Sequence, residues 1–264
     1  MLEPNEETAT QARATASRLI EVADALVAYG LDVPAENRQA FQHVYGWWRL
    51  VTRTAAEVLL VTERGFAAPE VAPLLRNILN HAYAIHWLVD NGEPAIAAVI
   101  SCDNVRQTKM VDKLESTGWA IAAEYRAQLA LRAPEPARTA DEQKRHQKLV
   151  GEIANVENLF KVYGSGDVYP VYAHLSSMSH TSINTASAYL SRRNDGSIEY
   201  LSEPVKDSPA YAEIIQLAVA LIQAGLAVSP LLAGNPMSSA LDNAISDLGM
   251  QNTQFLPPRE KRLD

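Results

Sequence analysis

The chain has 264 residues, 47% hydrophobic and 20% charged, which excludes general disorder and leaves room for one domain or two. Its formal charge of −8 opposes a broad electrostatic grip on a phosphate backbone, because nucleic-acid binders usually present a basic face. A single cysteine, Cys102, excludes an internal disulfide framework and any multi-cysteine metal site.

The first ten residues are acidic and polar, unlike a signal peptide, so the expected compartment is the cytoplasm. Apolar positions Leu19, Ile20, Val22, Ala23, Leu26 and Val27 recur at three-to-four spacing and predict a helix over 8–29, stopped by Gly30. After Asp32-Val33-Pro34 a second helix is expected to about Arg64, with Phe41, Tyr45, Trp48, Val51, Ala55 and Leu59 on one face. Pro69 opens a third helix that closes near Asn91-Gly92. A fourth runs over 94–116, and Gly118 separates it from another over 119–132. Cys102 follows the apolar run 97–100 and reads as a small buried residue.

Residues 133–140 form the clearest loop, and 141–163 read as one helix with a solvated start. A break over 164–170 precedes a helix over 171–190, kinked near His180. At most a short β-hairpin is expected, near residues 189–201. The last long helix spans 209–232; Gln216, Gln223, Ser229 and Pro230 interrupt its apolar run, so it reads as a core helix and no membrane partner is expected. The fold class is all-α, a multi-helix bundle. Residues 1–248 are expected as one helical domain, with a weakly ordered tail over 249–264.

Two helices carry polar residues where a bundle core belongs. In the third, Arg76, Asn80, Tyr83 and Trp87 share a side, with Asn77 and His81 on a neighbouring stripe. Leu74, Leu75, Ile78, Leu79, Ala82 and Ile85 leave little wet face, so several of these groups should be partly buried. Buried polar groups need partners. The later helix offers Tyr172, Ser176, His180 and Asn184, spaced by four, with Ser179 beside them. The two helices are expected to pack together, with Arg76 in reach of Tyr172, Ser176 or His180. Either the groups form a closed network that fixes helix register, or they line a pocket.

At Leu74-Leu75-Arg76 with Asn80, and at Tyr172, Ser176, His180 and Ser182, the chain resembles an uncharacterised family of helical bacterial proteins, a domain of unknown function. That family's pattern is LLRxxxN/E followed by YxxxSxxxHxS. Asn80 stands where an acidic residue is commoner in that family, so in this chain the position departs from a direct Arg76–carboxylate pair. The run from Arg76 to His81 also resembles the Arg-polar-…-His signature of HEPN proteins, helical bundles that often act as metal-independent ribonucleases. Arg38 to His43 has the same spacing. Residues five apart in a regular helix lie about 140° around the axis, so Arg76 and His81 should diverge.

Metal and nucleotide motifs are lacking: the chain has no Glu-x-x-His, no HExxH, no GxSxG, no phosphate loop and no GxGxxG. Glu142 and His146, among Lys144, Arg145 and Lys148, read as solvated surface. No cofactor is expected. Two functions compete. The favoured one is a non-catalytic ligand-binding or interaction protein, in which Arg76, Asn77, Asn80, Tyr172, Ser176 and His180 hold a small polar or anionic ligand. The alternative is an RNA-cleaving enzyme, with Arg76 stabilising the phosphorane and His81 or His180 as acid or base. A homodimer is expected through the aromatics Tyr45, Trp47 and Trp48, and a monomeric light-scattering mass would dismiss it.

Overall fold

A computed structural model describes residues 3–66, 68–132, 136–163, 168–205 and 210–251. Helices account for most of them. α1 (Glu6–Tyr29) begins where the Asn5 side chain accepts from the Thr8 N–H, and Glu6 and Glu7 complement the helix dipole. Gly30, at φ 97°, ends it. α2 (Arg38–Glu63) and α3 (Ala68–Asn91) follow. Gly92, at φ 59°, separates α3 from α4 (Glu93–Ser116), and α5 (Ala122–Ala130) is shorter than its predicted span.

The expected helix over 141–163 is two helices. α6 (Ala140–Ala154) starts at a capping box between Thr139 and Glu142. At Asn155 the backbone turns extended, and its Oδ1 accepts from the Glu157 N–H to begin α7 (Val156–Tyr163). Likewise the kink expected near His180 is a full break. α8 (Val168–Ser179) ends there, and a second capping box, between Ser182 and Thr185, starts α9 (Ile183–Ser187). The antiparallel hairpin of β1 (Leu190–Arg192) and β2 (Ile198–Tyr200) turns through Gly196. α10 (Tyr211–Val228) and α11 (Ser238–Asp247) complete the order. Residues 252–264 of the expected tail, 133–135 of the expected loop and 164–167 of the expected break lie outside the described residues.

α10 is the axis of the core and packs on α1, α2 and α3. It belongs to the one span among the described residues long and apolar enough to cross a membrane, but 78% of that apolar window is buried inside the fold. A Cβ on Gly225 would stand 2.7 Å from Leu241 Cδ2, so any larger residue there requires the Leu241 side chain of α11 to shift. Outside this core α4 packs on α5 and α6. The α4–α6 contact overturns the surface reading of His146. With Leu149 and Glu152 it lies on the buried stripe of α6, and its Nε2 is 3.1 Å from Ser101 Oγ. Of the aromatics expected at a dimer interface, Trp48 is core, Tyr45 is half-buried beside Phe41 and Trp48, and half-buried Trp47 meets His81 edge-on.

Candidate functional site

Three hydrogen bonds order the chain along α3. Asn91 Nδ2 donates to the Tyr163 hydroxyl (3.0 Å) at the C-terminal end, and Arg76 Nε donates to the Tyr172 hydroxyl (3.0 Å) midway. The Tyr189 hydroxyl donates to Glu70 Oε1 (2.8 Å) at the N-terminal end. Residue numbers rise on one side as they fall on the other, so α8 runs antiparallel to α3. Asn80 and Ser176, each one turn along from the Arg76–Tyr172 contact, therefore lie on opposite sides of it.

Arg76 is held twice. Besides the Nε bond, its Cζ stands 5.2 Å from the Tyr172 ring centroid, within cation–π range. Tyr172 is buried and rests on Phe160 (centroids 5.2 Å, planes at 58°), which in turn meets Tyr83 edge-on (5.0 Å, 84°). Such tilted pairs are the favoured aromatic geometry. Burial pushes the Tyr83 phenol up to about 12, so it stays neutral. The guanidinium thus sits on a stack of three rings anchored in the core.

Arg76, Asn77, Asn80, His81 and Ser176 are half-buried, as the apolar crowding of α3 implied. The histidines go elsewhere. His81 Nδ1 donates to the Asn77 carbonyl at 2.8 Å, which fixes its tautomer, and the ring contacts Trp47 of α2. His180 is exposed beyond the end of α8, where its carbonyl accepts from Thr185 Oγ1. The Asn184 side chain lies outside the described structure. Arg76 therefore faces α8 while His81 faces α2, as their five-residue spacing demands.

Two buried acids escaped the sequence reading. Glu152 accepts from the Trp87 indole N–H at 2.9 Å, with Lys148 at 3.8 Å. Glu213, in the first turn of α10, is buried beside α3 and α8. An acid inside the apolar run YAEIIQL is the only sequence signal for the second. Among the described residues no three His, Cys, Asp or Glu converge as a metal site.

Comparison with known proteins places the chain by sequence alone. A family model described as "Family of unknown function (DUF5677)" matches residues 42–198, more than half of the chain. That span holds both partners of the Arg76–Tyr172 contact and excludes α1, α10 and α11. No curated protein and no solved structure matches.

Proposed function

The chain belongs to the family of unknown function DUF5677, and we propose that it is a non-catalytic protein binding a small anionic or polar ligand, with Arg76 as the anchor. The observation that carries this reading is an unfinished hydrogen-bond set around an oriented guanidinium. Arg76 commits Nε to Tyr172, and among the described residues no carboxylate lies within ion-pair distance of it. Its two terminal nitrogens form the fork that matches carboxylate or phosphate oxygens. Asn80 and Ser176 flank it, half-buried, and no side-chain hydrogen bond among the described residues involves either. A closed network serving only helix register would have used these groups on one another.

Calorimetric titration with inorganic phosphate and with acetate tests the anchor. Removing a charge-assisted hydrogen bond weakens binding by roughly ten- to a hundredfold, so Arg76→Ala should lose that much while circular dichroism shows the same helix content. Arg76→Lys keeps the charge without the fork and should fall between. Equal affinity in wild type and Arg76→Ala would sink the reading.

The alternative, a metal-independent HEPN-like endoribonuclease, needs Arg76 and a histidine on one scissile phosphate. The divergence of His81 and His180 from Arg76 speaks against it. Total RNA incubated with the protein and EDTA should stay intact; cleavage lost in His81→Ala or His180→Ala would establish the enzyme instead. A homodimer stays part of the proposal. Trp119 and Ile121, exposed between α4 and α5, offer it more apolar surface than Trp48 does.

A further inference from the structure

α8 is held from two sides. One side carries Tyr172, whose hydroxyl accepts from Arg76 Nε and whose ring rests on Phe160. On the other, buried Leu175 with Val171 and His174 borders a shallow depression against α10. Beneath that depression lies Glu213, in the first turn of α10 and only 8% exposed. A first-turn acid is ordinarily wet, and when ionised it complements the helix dipole. Here Oε2 is shut off from water and has no hydrogen-bond partner among the described residues. Of the side chains that line the depression with Glu213, His174 is the one that takes a charge. α3 presents Leu75 there, and α10 presents Ala212 and Gln216.

An ionised carboxylate with an unmet buried oxygen is costly, whereas the neutral acid loses far less on leaving water. Burial accordingly pushes the carboxyl above its ordinary value, against the pull of its own backbone N–H and of the His174 charge. We propose that Glu213 is a proton-operated latch for α8: protonated, it lets α8 lie closed against α10, and ionised, it drives α8 open so that water reaches the oxygen. Opening withdraws Tyr172 from Arg76, so the latch regulates the anion site, and this consequence rests on Arg76 being the anion anchor. A carboxyl raised in the folded state contributes stability to the closed form that is fully present below the ordinary carboxylate range. That stability is lost as pH rises through the raised value. His174 acts in the same sense, because on rising pH it loses the charge that partly offsets the carboxylate.

Amide hydrogen exchange of the full chain, wild type beside Glu213→Gln, tests the latch at about pH 5 and about pH 8. At the lower pH the amides of α8 should be equally protected in the two proteins. At the higher, α8 of the wild type should exchange about tenfold faster than α8 of Glu213→Gln, with α1 and α11 unchanged. Each pH unit above the titration favours opening by up to about tenfold. Glu213→Met, which also cannot ionise, should match Glu213→Gln and guards against a defect of the new amide. His174→Gln removes the offsetting charge and should move the onset of fast exchange to higher pH. A shift to lower pH contradicts the latch. Sulfate, whose charge is constant over this range, reports on the anion site by calorimetric titration. Wild-type affinity should fall roughly five- to tenfold from the lower pH to the higher, and Glu213→Gln should hold to within about twofold. Equal protection of α8 in wild type and Glu213→Gln at the higher pH overturns the proposal, as does a difference spread evenly over all helices. Sulfate affinity with the same pH dependence in both proteins overturns the regulation. If sulfate binds at neither pH, the anchor reading fails by itself, and the exchange comparison still decides the latch.

Discussion

Trp87→Ala is expected to cost roughly 4–8 kcal/mol, combining a large core cavity with an orphaned acceptor. Trp87 is 0% exposed, so the indole volume lost has nothing but protein to collapse into it. Its N–H is also the donor that meets Glu152 Oε2 at 2.9 Å on the buried face of α6. Lys148, mostly in solvent and 3.8 Å from the other oxygen, cannot replace a buried donor. A cost of that size approaches the whole stability of a typical domain, about 5–15 kcal/mol. Urea unfolding followed by circular dichroism measures it. Trp87→Phe keeps most of the ring and should lose only about 1–3 kcal/mol, the share of the unmet carboxylate. Glu152→Gln retains an acceptor for the indole and should fall lower still. If Trp87→Ala unfolds within about 1 kcal/mol of wild type, the buried indole–carboxylate pair is not a structural joint between α3 and α6.

Much of the bundle is legible in the sequence because helices declare themselves through apolar spacing and through Gly and Pro stops. α1 ends at Gly30 and α3 at Gly92, both in left-handed backbone that reads directly from residue type. The hairpin announces itself through Asn194-Asp195-Gly196. The missed breaks are of another kind. At Asn155 and Ser182 the chain stops by side-chain capping, with no Gly or Pro within two residues of either. Such residues are also tolerated mid-helix, so only the structure shows which use prevails. The Arg76–Tyr172 contact was readable because three-to-four spacing fixes which residues share a face. The direction of α8 was not, and that direction parts Asn80 from Ser176. Burial of His146 was hidden for a related reason. Lys144, Arg145 and Lys148 dominate its surroundings, while the stripe His146, Leu149 and Glu152 gains meaning only once α4 lies against it. Glu213 shows the same limit: helix chemistry explains an acid at its position, and tertiary packing alone decides that the acid is dry.

Phe160→Ala should damage both the fold and the anion site, and a control can separate the two effects. Phe160 is 2% exposed and wedged between Tyr83 and Tyr172, so truncation should cost about 3–5 kcal/mol. It also removes the support beneath the ring on which Arg76 rests. A Tyr172 free to shift no longer fixes the guanidinium through Nε, and the fork then loses orientation before each binding event. Phosphate affinity should fall about tenfold, the equivalent of one immobilised rotamer-rich side chain. Leu159, the adjacent core residue of α7, has no ring contact with Tyr172 and makes the comparison. Leu159→Ala should lose a similar stability, roughly 2–5 kcal/mol, with phosphate affinity kept, at a temperature where both variants are folded. Phe160→Leu retains more of the volume and should lie between wild type and Phe160→Ala on both measures. Equal loss of affinity in Phe160→Ala and Leu159→Ala would mean that general loosening, not the aromatic stack, controls Arg76. Selective loss in Phe160→Ala would tie the orientation of the anchor to three rings drawn from α3, α7 and α8.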